Sequence, residues 1–95
     1  MAEDTNSERL HVVIRGRVQG VGFRYATCGM AREVAVTGWV RNLPSGDVEA
    51  EFEGPRAALE QALAWCKQGP RLAHVRELEE TWLEAGEAYD AFTIR

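Results

Sequence analysis

Residues 14–24 read IRGRVQGVGFR and join a segment of alternating apolar residues to a segment with helical periodicity. Glycine at positions 16, 20 and 22 permits backbone dihedrals that other residues avoid. The N-terminus of a helix gathers unpaired N–H groups and the positive end of the helix dipole. Arg24, at the start of the helical segment, adds a planar cation that fits two phosphate oxygens. The stretch therefore predicts an anion site, with phosphate the favoured ligand.

The common nucleotide-binding motifs do not fit this stretch. After Gly20 and Gly22, the pattern G-x-G-x-x-G requires glycine at position 25, where the chain has Tyr25, and no Gly-Lys-Ser/Thr sequence is present. Two interpretations therefore stay open on these grounds. The loop binds phosphate, or it is a tight strand-to-helix turn whose arginines are solvated.

Periodicity and turn residues predict seven elements along the chain. The predicted strands cover residues 10–15, 36–42, 48–53, 73–83 and 91–95, and the predicted helices cover residues 22–33 and about 55–68. The alternation slips between Val75 and Leu78, which indicates a bulge. This order is typical of an α+β, ferredoxin-like split βαβ fold, with two helices on one face of an antiparallel sheet. The position of the last strand in the sheet stays open.

The same patterns predict which side chains form the core. The helical stripes are Phe23, Ala26, Thr27, Met30 and Val34 in the first helix and Leu59, Ala62, Leu63 and Cys66 in the second. Phe92 and Ile94 are expected to point inward from the last strand. Glu49, Glu51 and Glu53 alternate with apolar residues and are expected to face water.

The 95 residues predict one small domain over residues 9–95, preceded by a mobile tail over residues 1–8. No apolar run approaches the roughly 20 residues that span a bilayer, and the first residues lack a secretion signal, so a cytoplasmic protein without membrane contact is expected. The net charge of −4 argues against nucleic-acid binding. Residues 9–24 nevertheless contain four arginines and no acid, which predicts a local positive field for a small anion.

The two cysteines, Cys28 and Cys66, belong to no Cys-x-x-Cys pair or Cys/His set, so no metal site is expected. Both are interpreted as ordinary thiols. His11 is interpreted as a solvated strand residue, with the role of a catalytic base as the alternative. Trp39, Trp65 and Trp82 are interpreted as packing residues.

Two separate motifs resemble those of the acylphosphatases. Residues 16–24, GRVQGVGFR, are similar to the phosphate loop of that family, and residues 38–42, GWVRN, followed by Gly46, Val48 and Gly54, are similar to its second motif. The resemblance covers about residues 10–95. It implies a ferredoxin-like fold with an added terminal strand, and it implies hydrolysis of acyl phosphates to a carboxylate and inorganic phosphate.

The resemblance also implies roles for individual residues. Arg24 would hold the phosphoryl oxygens and Asn42 would orient the attacking water, although asparagine before a turn is by itself an ordinary turn residue. Some acylphosphatases have threonine where this chain has Leu43. The phosphate-binding loop would consist of Arg17, Val18, Gln19, Gly20, Val21 and Gly22, mainly through backbone N–H groups.

The expected enzyme is a monomer that acts on a small acyl phosphate without a metal or other cofactor, and inorganic phosphate or sulfate is expected to fit the same site. Two other classes stay open. One is a non-catalytic ligand-binding module on the same fold. The other is an RNA-recognition-type domain, which needs stacking aromatics and basic residues on its central strands. Residues 48–53 offer one phenylalanine among three glutamates and disfavour it.

Overall fold

Alternate burial along the first strand defines the core face of the sheet. A computed structural model describes residues 7–95, and its first strand, β1, covers Ser7–Arg17. Leu10, Val12 and Ile14 are completely buried on one face of β1, since successive side chains of a strand point to opposite faces. The following elements are α1 (Phe23–Val34), β2 (Thr37–Asn42), β3 (Val48–Pro55), α2 (Arg56–Gln68), β4 (His74–Glu84) and β5 (Phe92–Ile94).

The five strands form one sheet in the order β4-β1-β3-β2-β5. The first four strands pair antiparallel, and the two helices pack on the same face, as predicted for a ferredoxin-like fold. β5 pairs in parallel with β2, so the sheet is mixed, whereas an antiparallel sheet was predicted with the position of the last strand left open. Residues 85–91 carry the chain from one edge of the sheet to the other, and this crossing sets the direction of β5.

The predicted element boundaries differ most at the start of the chain. Residues 7 and 8, assigned to the mobile tail from the sequence, lie in β1 and pair with β3, and residue 8 also pairs with β4. The rest of the predicted tail, residues 1–6, lies outside the described residues. The predicted bulge is present, because Arg15 pairs with Glu77 and Gly16 with Val75, which leaves one residue of β4 unpaired.

Both helical stripes face the sheet. Phe23, Thr27 and Met30 are buried, and their stripe continues through half-buried residues 26 and 34. All four residues predicted for the α2 stripe are buried. Phe92 is buried as predicted and stacks on Phe52. The prediction for Ile94 is wrong, since 36% of it is exposed. It ends an edge strand, which has a neighbour on one side only.

The glutamates of β3 do not simply face water. Glu53 is only 6% exposed and forms an ion pair with Arg9, and Glu51 accepts a hydrogen bond of 2.6 Å from the Tyr89 hydroxyl. Glu49 accepts from Arg41 at 2.6 Å. Side chains from β1, β2 and the 85–91 segment therefore cover this face of the sheet, and the prediction of solvated glutamates is wrong.

Both cysteines are free and buried, as interpreted from the sequence. Complete burial raises the pKa of the Cys66 thiol to about 12, which keeps it protonated and unreactive at neutral pH. Within residues 7–95, neither helix is long and apolar enough to cross a bilayer.

Candidate active site

The loop between β1 and α1 depends on left-handed glycine. Gly20 and Gly22 have φ values of 74° and 79°, and a Cβ at either position would meet no atom within 4 Å. Their side-chain space is open, so the backbone dihedrals alone favour glycine here. Gly22 directly precedes α1, and its carbonyl accepts the first helical hydrogen bond, of 3.0 Å, from the Ala26 amide.

The backbone donors of this loop are available to a ligand. In the turns and loops of residues 7–95, no amide of residues 18–22 donates to a backbone carbonyl. α1 has no side-chain cap and no acidic residue in its first turn. The first turn of a helix leaves its N–H groups without intrahelical partners. Unpaired donors and the positive end of the helix dipole therefore converge at residues 18–24, which suits an anion.

Gly16 serves a different purpose from the other two glycines of the motif. Its φ is 133°, and a Cβ there would overlap the His74 carbonyl oxygen and lie 2.8 Å from the Arg76 amide nitrogen. Gly16 therefore permits the close approach of β1 and β4 at the bulge. Its role is in the packing of the sheet, away from the backbone N–H groups that suit an anion.

The Gln19 side chain joins the loop to the hairpin between β2 and β3. Its Nε2 donates hydrogen bonds of 2.8 Å to the carbonyl of Leu43 and 2.9 Å to the carbonyl of Asp47. The same turn is closed by a bond of 2.8 Å from the Leu43 amide to the Asp47 carbonyl. Asn42 immediately precedes this turn. The amide of Gln19 thus fixes the end of β2 relative to the glycine loop.

A cavity of about 160 Å³ lies where the loop, α1 and β2 meet. A water molecule takes about 30 Å³ in the liquid, so the cavity accommodates several water-sized groups. Its lining residues are Val18, Gly20, Gly22, Phe23, Arg24, Tyr25 and Asn42. The structure thus brings together Arg24, Asn42 and three of the six predicted loop residues.

The Asn42 side chain supplies an unsatisfied acceptor in this cavity. Its Oδ1 is buried and has no hydrogen-bond partner among the described residues. Buried polar atoms of native proteins are nearly always hydrogen-bonded to protein, water or ligand, so such an atom needs a partner. An amide oxygen accepts a hydrogen bond from water or from a hydroxyl, and the amide NH₂ beside it donates.

The positive field is narrower than the sequence predicted. Arg9 pairs with Glu51 and Glu53, and Arg15 lies 3.2 Å from Glu79 and 3.5 Å from Asp47, so acids neutralise both. Within residues 7–95, neither Arg17 nor Arg24 forms an ion pair with a carboxylate. Arg24 is half-buried and lines the cavity, whereas Arg17 is exposed outside it.

The remaining loop residues act through their side chains more than predicted. Val18 is buried in the core with 1% exposed and anchors the loop. Gln19 makes the two hydrogen bonds to the hairpin, and neither it nor Val21 lines the cavity.

Tyr25 lines the cavity but was not predicted to belong to the site. The available signal was an aromatic residue next to Arg24 that falls outside the apolar stripe of α1.

Other polar residues lie away from this cavity. His11 bonds to Glu49 at 2.7 Å on the sheet face opposite the helices, which argues against a catalytic base at this site. A larger concavity of about 720 Å³ is lined by Glu8, Glu53 and Glu84, among others. Three carboxylates make it unsuitable for a phosphate. The smaller cavity is therefore the candidate active site.

Comparison with known proteins identifies the family of this chain. A family model described as Acylphosphatase matches residues 10–94. The chain belongs to the acylphosphatase family. A protein named acylphosphatase from Chloroflexus aurantiacus is 51% identical over 86 residues, which are 90% of this chain and 94% of that relative.

Solved acylphosphatase structures share the fold. One from Coxiella burnetii matches with a TM-score of 0.89 and 37% identity, covering 95% of this chain and 94% of its own. Another, from Bacillus subtilis, also has a TM-score of 0.89, with 34% identity over 93% of this chain and 98% of its own. In this member of the family, residues of the two motifs recognised in the sequence line one cavity although the motifs are separate along the chain.

Proposed function

We propose that this protein hydrolyses the carboxyl–phosphate anhydride of acyl phosphates to a carboxylate and inorganic phosphate. Membership of the acylphosphatase family supports this reaction. The observation that carries the mechanism is the unsatisfied Asn42 Oδ1, in the cavity that also contains Arg24 and the glycine loop.

In the proposed mechanism, the phosphoryl group sits against the amides of residues 18–22 and the Arg24 guanidinium. Phosphoryl transfer requires mainly positioning and stabilisation of charge on the equatorial oxygens. Backbone N–H groups and one guanidinium supply both without a change in protonation. Arg24 forms no ion pair with the described residues, so its guanidinium is free to pair with a bound phosphoryl dianion.

Asn42 is proposed to orient the attacking water. Its Oδ1 accepts a hydrogen bond from the water, while its NH₂ group donates a hydrogen bond toward the phosphoryl group. The water oxygen bonds to phosphorus, the bond from phosphorus to the acyl oxygen breaks, and the proton of the water passes to the phosphate. A carboxylic acid has a pKa of about 4, so the carboxylate leaves without a general acid.

The lining residues support hydrolysis that requires no metal ion. They include no carboxylate, histidine or cysteine, which are the usual metal ligands in proteins. Turnover is therefore expected to persist in a chelator such as EDTA.

The monomeric state and the cytoplasmic location of the protein stay predictions. Light scattering on the purified protein tests the first.

The deciding experiment measures hydrolysis of acetyl phosphate and binding of inorganic phosphate on the same preparation. Turnover that inorganic phosphate inhibits competitively supports the proposal. Phosphate binding without turnover would instead identify a non-catalytic module on this fold. Absence of both would show that the cavity is not a phosphate site.

A further inference from the structure

A second concavity lies along α1 and shares one lining residue with the active-site cavity. It has a volume of about 360 Å³ and is called here the acyl groove. Its lining residues are Tyr25, Cys28, Arg32, Phe92, Thr93 and Ile94. Tyr25 also lines the active-site cavity, so the two concavities meet at this side chain. The groove is thus next to the cavity proposed to hold the substrate phosphate.

The groove follows one face of α1 past the edge of the sheet. Tyr25, Cys28 and Arg32 are spaced three and four residues apart, which places them on one side of a helix. Seven residues of helix correspond to about 10 Å from Tyr25 to Arg32. The opposite wall is β5. An extended chain of several methylene groups fits such a path.

The groove is apolar near the active site and basic at its far end. Tyr25 is 78% exposed and Ile94 is 36% exposed, so both present apolar surface to a ligand in the groove. Arg32 forms no ion pair within residues 7–95. Burial raises the pKa of the Cys28 thiol, and the positive charge of Arg32, which lines the same groove, acts in the opposite direction.

We propose that the acyl groove binds the acyl chain of the substrate and favours acyl phosphates whose apolar chain ends in a carboxylate. The proposal depends on the acyl phosphate hydrolysis proposed above. Tyr25 and Ile94 contact the methylene groups, and Arg32 contacts the distal carboxylate. These three residues thus determine specificity, and they do not touch the reacting phosphorus.

The test compares kcat/KM for three substrates: acetyl phosphate, hexanoyl phosphate and the monoacyl phosphate of hexanedioic acid. The wild-type protein is expected to prefer both longer substrates to acetyl phosphate, and the dicarboxylic one most. Tyr25→Ala is expected to lower the hexanoyl-to-acetyl ratio roughly 10-fold, within the range for loss of apolar contacts in a pocket.

Arg32→Gln is expected to lower the ratio of the hexanedioic to the hexanoyl substrate about 2- to 5-fold, as for a solvent-exposed ion pair. The matched controls are Leu72→Ala and Arg71→Gln, at exposed positions in the loop between α2 and β4. Neither control is expected to change the ratios. Because each result is a ratio of substrates on one variant, a change in folded fraction cancels.

Three outcomes separate the proposals. Loss of the long-chain preference in the groove variants alone supports the acyl groove. Ratios that do not change, or that change equally in the controls, overturn the groove while acetyl phosphate turnover leaves the proposed hydrolysis intact. No turnover of any substrate by the wild-type protein would contradict the proposed function itself.

Discussion

The side-chain amide of Gln19 donates a hydrogen bond of 2.8 Å to the carbonyl of Leu43, the residue that follows Asn42. This bond crosses from the glycine loop to the hairpin after β2. The loop carries the phosphate donors, and the hairpin carries the residue proposed to orient water. Gln19 therefore sets the distance between the two halves of the proposed site.

Replacement of Gln19 is expected to reduce turnover without removing any group from the cavity. Gln19→Ala loses two hydrogen bonds to carbonyls that keep partners within the turn, so the free energy of unfolding should fall by only about 1–2 kcal/mol. A displacement of the water-orienting residue should lower kcat roughly 10- to 100-fold. Steady-state kinetics and urea denaturation measure the two effects.

Gln19→Glu serves as the matched comparison. A carboxylate there would face two carbonyl oxygens and could not donate to either. We expect it to destabilise the protein more than Gln19→Ala. Equal stability of the two variants would show that the hydrogen bonds of Gln19 do not fix the hairpin.

Arg24→Ala is expected to lose on the order of 10²–10⁵ in turnover of acetyl phosphate, the range for removing a charge partner of the transition state. Arg71→Ala, an exposed arginine outside the cavity, is the control. Phosphate release is measured for both. Near-normal release by Arg24→Ala would remove this arginine from the mechanism.

Asn42→Ala is expected to lower kcat far more than it weakens binding of inorganic phosphate, because its role is to orient water. Competitive inhibition by phosphate reports the binding. The substitution also removes an unsatisfied buried oxygen, so it should not reduce the free energy of unfolding substantially. Weaker phosphate binding with unchanged kcat would assign Asn42 to binding instead.

The glycines of the motif should respond differently to alanine. Gly16→Ala combines a φ of 133° with overlap on the His74 carbonyl, and a loss on the order of 3 kcal/mol is expected. Gly20→Ala meets no neighbouring atom and should cost only roughly 1–2 kcal/mol for its left-handed backbone. Urea denaturation compares the two, and a larger loss at Gly20 would contradict the assignment of Gly16 to sheet packing.

The Glu49 carboxylate should make stability depend on pH. Burial acts to raise the pKa of Glu49, but hydrogen bonds from His11 and Arg41 outweigh it and leave the pKa below its ordinary value. A lowered pKa in the folded state stabilises the protein above the unfolded pKa, and this contribution disappears as the pH falls through the folded value.

Glu49→Gln should therefore be less stable than the wild-type protein above about pH 5, and the difference should shrink below about pH 4. Urea denaturation at several pH values measures it. Glu80→Gln, at an exposed position on β4, is the control. A stability difference that stays constant across this range would show that the charge of Glu49 is not what stabilises the sheet.

Local sequence patterns were sufficient to predict structural features that depend on a single helix, strand or turn. The apolar period predicted the buried stripe of α2, and the slip near Val75 predicted the bulge. The glycines at positions 20 and 22 predicted the left-handed loop. Each of these depends on dihedrals or periodicity within a few residues, which the sequence shows directly.

Burial predicted from the pattern of a single strand was wrong where the surroundings of a side chain come from other parts of the chain. Glu53 has the pattern of a solvated residue, yet Arg9 from a neighbouring strand covers it. Ile94 has the pattern of an inward residue, yet its strand lies at the edge of the sheet. The parallel pairing of β5 likewise depends on where the crossing segment ends.

The sequence by itself determined the order of elements and the glycine loop before the first helix, because these follow from local chemistry, and its resemblance to a known family identified both motifs. Only the tertiary structure decided that Asn42 shares a cavity with Arg24, that Gln19 holds the two segments together, and that Tyr25 joins the cavity to a groove. Those relationships are contacts between residues far apart in the chain or on different elements, and they arise only when strands and helices pack.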